Sequence, residues 1–276
     1  MFTLNCKGRL FSIDKPIVMG IINATPDSFY EASRKHSIEA ALQKAGQMMA
    51  EGATILDIGG QSTRPGSIQV GASEEEKRVL PVVEAISKAF PQACISIDTY
   101  HASVAKHAVH AGASMVNDIG GGLLDEAMLA TVASLQVPYI CMHMQGTPAT
   151  MQQHPVYEDV TKEVLDFFIQ RIAACKLAGI NDVIIDIGFG FGKTIQHNFQ
   201  LLKDLSIFRM LDKPLLVGLS RKATIYKTLG TTANDALNGT TVLNTICLLN
   251  GASILRVHDV KEAMESIQLV EAYSKH

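Results

Sequence analysis

Eight short apolar runs recur along this sequence, and seven of them end at or beside a polar residue. The seven span residues 17–22, 54–58, 94–97, 114–116, 182–185, 214–219 and 253–255; the polar residues are Asn23, Asp57, Asp98, Asn117, Asp186, Lys222 and Arg256. The eighth run covers 139–142. Parallel strands gather their carboxyl ends on one side of a sheet. One polar residue at one strand end is a cap, whereas a set at successive ends is a candidate site.

Between these runs lie stretches with apolar residues at three- and four-residue spacing, which predict helices over 38–50, 74–90, 104–111, 126–135, 159–177, 199–208 and 261–272. Glu-Gly-Ala-Thr-Ile-Leu-Asp at 51–57 returns in altered form at 111–117, 178–184 and 250–256. In each copy the glycine is expected to end a helix in the left-handed conformation just before a strand. Eight strand–helix units are the number that closes a (β/α)8 TIM barrel of the α/β class. An open doubly wound sheet also alternates, but more often with fewer strands. Residues 3–6 and 9–13 alternate around Lys7-Gly8 and predict a leading β-hairpin. The expected organisation is one domain over 1–276, with the hairpin in 1–15 and the barrel in 16–276. No Pro/Gly/Ser-rich linker divides it.

Composition narrows the function classes. A net charge of −3 with both signs scattered offers no basic footprint for nucleic acid and no polybasic membrane segment. No apolar stretch is long enough to span a bilayer. The N-terminal residues lack the pattern of a secretory signal. The five cysteines are widely spaced without a CxxC pair, as expected of a reduced, cytoplasmic enzyme.

Some motifs invite readings that their spacing rejects. Gly188-Phe-Gly-Phe-Gly-Lys-Thr194 suggests a P-loop, but Ile187 stands where the first glycine is required, and Lys193 breaks G-x-G-x-x-G. His101, His107 and His110 have no nearby carboxylate or Cys to complete a ligand set, and Cys141-Met-His143 is equally thin. Ser220 has no G-x-S-x-G context for a nucleophile. Asp98 and Asp186 are harder to dismiss, because each ends a strongly apolar strand, where a charge needs a partner. They either form structural ion pairs with Lys222 or Arg256, or face a planar ligand that presents N–H groups to them and a carbonyl to Lys222. Asn117 can serve as donor or acceptor. Arg256 and His258 alternate and so point the same way, at a strand end where barrels frequently hold phosphate. The stretches 23–29 and 59–66 are long for strand-to-helix connections.

Taken in order, Met19-Gly-Ile-Ile-Asn-Ala-Thr-Pro-Asp-Ser-Phe29, Ile55-Leu-Asp-Ile-Gly-Gly-Gln-Ser-Thr-Arg-Pro-Gly66, Ser96-Ile-Asp-Thr99 and Val116-Asn-Asp-Ile119 resemble the dihydropteroate synthase family. So do Asp186-Ile-Gly-Phe-Gly-Phe-Gly-Lys193, Gly218-Leu-Ser-Arg-Lys222 and Arg256-Val-His258. The resemblance runs from about residue 17 to the end of the sequence. It implies a transferase of folate biosynthesis that joins (7,8-dihydropterin-6-yl)methyl diphosphate to 4-aminobenzoate and releases diphosphate. It further implies a pterin held by Asp98, Asn117, Asp186 and Lys222 with Arg256 stacked on it. Asn23, His258 and Arg256 would line a diphosphate pocket with Mg²⁺, Asn23 being the metal residue. Thr63, Arg64, Pro65, Phe29 and Phe191 would build the aminobenzoate site, and Ser220 would be a further substrate-binding residue. Asp98, Lys222, Arg256 and His258 would carry the chemistry. A homodimer and sensitivity to sulfonamides belong to the same expectation. Departures from the family pattern are Tyr30-Glu-Ala-Ser33, Gln61 for Glu, and Ala223 for Ser. A methyltetrahydrofolate-binding methyltransferase domain shares such a barrel but needs no diphosphate residues. A non-catalytic paralogue would most simply lack one of Asp98, Asp186, Lys222 or Arg256.

Overall fold

The computed structural model describes residues 1–24, 31–61 and 69–275, with residues 31–36 described by their backbone alone. Strands β1 (Phe2–Cys6) and β2 (Arg9–Ile13) form an antiparallel hairpin. Its turn residues Lys7 and Gly8 both have positive φ, 54° and 84°, which matches the twist of a two-residue hairpin. Eight parallel strands follow: β3 (Ile17–Asn23), β4 (Ile55–Gly59), β5 (Cys94–Asp98), β6 (Met115–Asp118), β7 (Tyr139–Met142), β8 (Val183–Asp186), β9 (Leu215–Val217) and β10 (Ile254–Val257). They close into a barrel in chain order, with β10 pairing β3 so that Arg256 lies opposite Met19. The expected TIM barrel with an N-terminal hairpin is present.

Strand periodicity sorts the apolar residues into two bodies. Val18, Leu56, Ile97, Val116, Ile185, Val217 and Leu255 point outward into the layer between barrel and helices. Their neighbours Met19, Ile55, Cys94, Met115, Ile140, Ile184, Leu216 and Ile254 point inward and fill the barrel interior. The hairpin adds Leu4, Cys6 and Ile13 to that inner body and so closes the amino-terminal end. A hydrogen bond of 2.6 Å from the Asn5 N–H to Asp182 Oδ2 and one of 2.8 Å from Lys7 Nζ to the Val109 carbonyl hold it there.

The helices are α1 (Glu31–Ala50), α2 (Ala72–Ala89), α3 (Ala102–Ala111), α4 (Met128–Leu135), α5 (Val160–Ala178), α6 (Ile195–Lys203), α7 (Ala223–Leu229), α8 (Leu237–Leu249) and α9 (Val260–Ser274). The helix expected over 199–208 is instead the end of α6 followed, past Asp204, by a 3-10 helix, Leu205–Leu211. Helices α7 and α8 were not anticipated. They are rich in Thr and Asn, residues that compete with the backbone and weaken helices. Here Thr228, Thr240, Thr241 and Thr245 each donate to the carbonyl four residues earlier, which removes that competition. Packing of buried Leu243, Cys247 and Leu248 supplies the stability that propensity does not.

The repeated glycines behave as their sequence context predicts. Gly52, Gly112, Gly179 and Gly251 have φ of 106°, 129°, 92° and 98° at four helix-to-strand turns. Gly112 is also crowded, since a methyl group there would overlap the Ser87 hydroxyl, whereas Gly179 faces open space. We expect Gly179→Ala to cost about 1–2 kcal/mol, the left-handed penalty alone. Gly112→Ala should cost about 1–3 kcal/mol more. Urea denaturation of the two variants checks the order.

Candidate active site

Period-two alternation places Asp57, Asp98, Asn117, Asp186 and Arg256 one step above the inward apolar layer, at the carboxyl end of the barrel. Register aligns them: Asp98 lies opposite Gly59 and Asn117, and Asp186 lies opposite Met142 and Leu216. The structure therefore brings these strand-end residues together. Arg256 spans the mouth, with Nε 2.6 Å from Asp57 Oδ2 and Nη2 2.6 Å from Asp98 Oδ2. Asn117 Nδ2 donates to the same Asp57 oxygen at 3.0 Å. The other Asp57 oxygen is buried without a hydrogen-bond partner among the described residues. Burial opposes the Arg256 charge, yet Asp57 and Asp98 more than offset it and raise its pKa further. Burial pushes Asp98 up to about 7 despite the Arg256 charge beside it, with Asp57 adding to the rise.

Asp186 and Lys222 are arranged differently. Asp186 Oδ1 accepts the Gly188 N–H at 2.8 Å, and its pKa is raised by burial against the pull of Lys222. Lys222 Nζ donates to the Phe189 carbonyl at 2.6 Å and lies 4.5 Å from the centre of the Phe191 ring. Burial lowers its pKa to about 8, opposed by Asp186. The Lys222 approach is set by Arg221, whose backbone is left-handed (φ 54°). Arg221 is held there by a bidentate pair with Asp259 at 2.8 and 2.9 Å. The structural ion pair weighed for the two aspartates is thus real for Asp98, while Asp186 takes a backbone amide.

His258 directly follows β10, and its Nδ1 is 3.0 Å from Ser220 Oγ. That same oxygen accepts the His258 N–H at 3.2 Å, so Ser220 holds both the backbone and the ring of His258. Burial and Arg256 lower the His258 pKa to about 4, making the ring neutral at pH 7. Asn23 is the exposed last residue of β3, beside Gly59. It supplies one neutral hard oxygen, and no group of three His, Cys, Asp or Glu suited to a metal occurs among the described residues. This donor set fits a Mg²⁺ that keeps most of its water and arrives on a phosphate ligand, not a preformed protein cage. Phe29, Thr63, Arg64 and Pro65 lie outside the described residues, as does Tyr30. Phe191 packs with Ile119, Met142 and Met151 into an apolar wall flanking the polar layer.

The Gly188–Gly192 loop, suggestive of a P-loop in sequence, is a clamped segment. Each of its five carbonyls accepts from a side chain: Gly188 and Phe191 from Lys193 (2.9 and 3.0 Å), Phe189 from Lys222 (2.6 Å), Gly190 from Gln152 (2.7 Å) and Gly192 from Tyr157 (2.7 Å). Lys193 Nζ also reaches His143 Nδ1 at 2.9 Å. Burial, with Lys193 nearby, lowers His143 to about 2 and keeps that nitrogen an acceptor. Burial likewise lowers Lys193 to about 7. Gly188 and Gly192, with φ of 67° and 60°, let the loop lie against the carbonyls of His143 and Gln145, where any methyl group would collide. Sequence reasoning named Asp57 without giving it a task and gave Lys193 none.

With this geometry in view, the chain can be set beside known proteins. The signature of the family described as "Pterin binding enzyme" matches residues 19–258. Dihydropteroate synthase of Escherichia coli strain K12 is 44% identical over 271 residues, 98% of this chain and 95% of the relative. A Yersinia pestis dihydropteroate synthase, solved with a sulfonamide drug complex, superposes with a TM-score of 0.93 at 42% identity and full coverage of both chains. A Xanthomonas albilineans dihydropteroate synthase in complex with 7,8-dihydropteroate gives 0.87 at 37% identity, covering 99% of this chain and 98% of that one. The chain belongs to the dihydropteroate synthase family of pterin-binding enzymes.

Proposed function

We propose that this transferase condenses (7,8-dihydropterin-6-yl)methyl diphosphate with 4-aminobenzoate to give 7,8-dihydropteroate and diphosphate. The observation that carries the reading is the buried polar layer in which Asp98, Asn117, Asp186 and Lys222 converge above an apolar floor. A flat heterocycle with alternating N–H and carbonyl edges matches such a layer: carboxylates accept its N–H groups, and Asn117 and Lys222 take what remains.

The chemistry needs an anion to leave and a neutral amine to attack. Diphosphate departs with the electrons of the methylene C–O bond, the aminobenzoate nitrogen lone pair forms the new C–N bond, and its proton passes to solvent. An aniline nitrogen is neutral at pH 7, so no side chain need activate it. Arg256 and the His258 ring stabilise charge on the departing oxygens. Donors of this kind are each worth roughly 3–4 kcal/mol. The guanidinium keeps its plane through the Asp57 contact, and Asp98 faces the cationic methylene. Mg²⁺, held by Asn23 and the diphosphate oxygens, would neutralise part of the leaving-group charge. Phe191, in its fixed loop, forms one wall for 4-aminobenzoate, with Thr63, Arg64, Pro65 and Phe29 assigned to the same side by family likeness. Sulfonamides, as mimics of that acid, would compete there.

We also infer one domain over residues 1–276, a homodimer, and a cytoplasmic location. Exposed Leu229, Val242 and Leu249 on α7 and α8 support self-association, and the five free cysteines suit a reducing compartment. No helix among the described residues is long and apolar enough to cross a membrane. Light scattering on the eluting protein tests the dimer.

A coupled assay for diphosphate release tests the activity: release should require 4-aminobenzoate for sustained turnover, and a protein that releases none in its presence is not this enzyme. Asp186→Asn and Lys222→Met should each weaken pterin binding more than tenfold with unchanged circular dichroism, because unpairing a buried charged hydrogen bond costs on the order of 2–5 kcal/mol.

Asp98, raised to about 7, accepts an N–H far more strongly once ionised. Pterin affinity should therefore rise about tenfold per pH unit up to that value and level off above it. In the free protein the sign is opposite. The folded carboxyl holds its proton more tightly than the unfolded one, so its stabilising contribution is full below about 4 and lost as pH rises toward 7. Calorimetry against pH, with Asp98→Asn as the variant lacking the slope, measures the first effect.

Lys193→Met should raise the 4-aminobenzoate KM severalfold while pterin affinity stays near its starting value, because it frees two of the loop carbonyls beneath Phe191. Steady-state kinetics and pterin calorimetry separate the two.

A further inference from the structure

The barrel end opposite the polar layer contains a second chemically distinctive place. A cavity of about 210 Å³ opens between the hairpin and the loop leading into β5, and Cys6, Lys7, Arg9, Gln92 and Cys94 are among its lining residues. The Cys6 and Cys94 sulfurs are 3.8 Å apart although 88 residues separate them in the chain. Ser114 Oγ lies 3.5 Å from the Cys94 sulfur. Both strands are anchored: Arg9 donates to the Gln92 carbonyl at 2.8 Å and Lys7 to the Val109 carbonyl at 2.8 Å, so the two sulfurs are held at this separation. All five cysteines are buried, and of them only Cys6 and Cys94 line the cavity; Cys141, Cys175 and Cys247 do not.

We propose that Cys6 and Cys94 are an oxidation site at which hydrogen peroxide forms a disulfide stapling the hairpin to β5. The Cys94 sulfur attacks one peroxide oxygen, the O–O bond breaks, and the departing oxygen leaves as water after taking a proton. Cys94 is then a sulfenic acid. The Cys6 sulfur attacks it, the S–O bond breaks, and a second water leaves with the Cys6 proton. Two thiols lose two hydrogens, and hydrogen peroxide accepts them. The sulfurs need only close from 3.8 Å to a bond of about 2.05 Å. The neighbouring Cys6 sulfur lowers the Cys94 thiol against burial, with Ser114 and the Arg9 charge helping. Burial pushes the thiols of Cys141, Cys175 and Cys247 up, which leaves them poor nucleophiles.

The test is hydrogen peroxide treatment of the whole protein followed by mass spectrometry of a non-reduced digest. The expected product has lost two hydrogens, contains a Cys6–Cys94 linked peptide, and returns to the starting mass with dithiothreitol. Its apparent Tm should rise by several degrees, since the cross-link closes a long loop. In Cys6→Ser the reaction should stop at a sulfenic acid on Cys94, trapped by dimedone. A linked peptide involving any other cysteine, Cys6 and Cys94 unmodified, or both carried to sulfonic acid without linkage would each overturn the proposal. The wild-type digest decides the matter even if the serine variant does not fold.

Discussion

A guanidinium shared between two carboxylates is what lets aspartates occupy the interior of this barrel. Arg256 reaches Asp57 and Asp98 from across the mouth, and with Lys222 it offsets most of the charge of Asp57, Asp98 and Asp186. Without a cation in that position, carboxylates one layer above a floor of Ile, Met and Leu would carry their full desolvation cost. The balance is incomplete, and Asp98 shows it by holding its proton far above the ordinary range. A ligand that brings N–H donors completes what the protein leaves short, so affinity and the cost of building the pocket are two sides of one electrostatic arrangement.

Most of the barrel could be read from the chain because its signals are local. Period-two alternation, strand-length apolar runs and the recurring glycine before four of the runs all act within about ten residues. The failures have equally local causes. Helix α7 carries two Thr in seven residues and α8 adds Thr, Asn and Gly, whose preferences point away from helix, and the surface they pack on reverses the outcome. The break at Asp204 was hidden because a 3-10 turn carries nearly the same apolar spacing as an α-helix.

The candidate site divides along another line. Asp98, Asn117, Asp186, Lys222 and Arg256 stood out because each is polar where its strand is apolar. The partner of Asp57 is 199 residues away, so its task became visible only once β4 and β10 met across the mouth. Lys193 was obscured by a glycine-rich motif that suggested phosphate binding, whereas its ammonium group serves the loop's own carbonyls. His258 was expected as an anion donor. Its burial and the nearby Arg256 refine this to a ring that is neutral at pH 7, anchored to Ser220.

The clamped loop also bears on molecular mimicry. Five carbonyls bound by four side chains fix the backbone under Phe191, so this wall cannot remodel to suit one flat aromatic acid over another. With Phe191 as the proposed wall for the natural acid, a competitor of the same outline meets the same surface. Telling the two apart therefore falls to parts of the mouth that are not tied down in this way, and changes that keep the substrate while refusing the mimic should accumulate there.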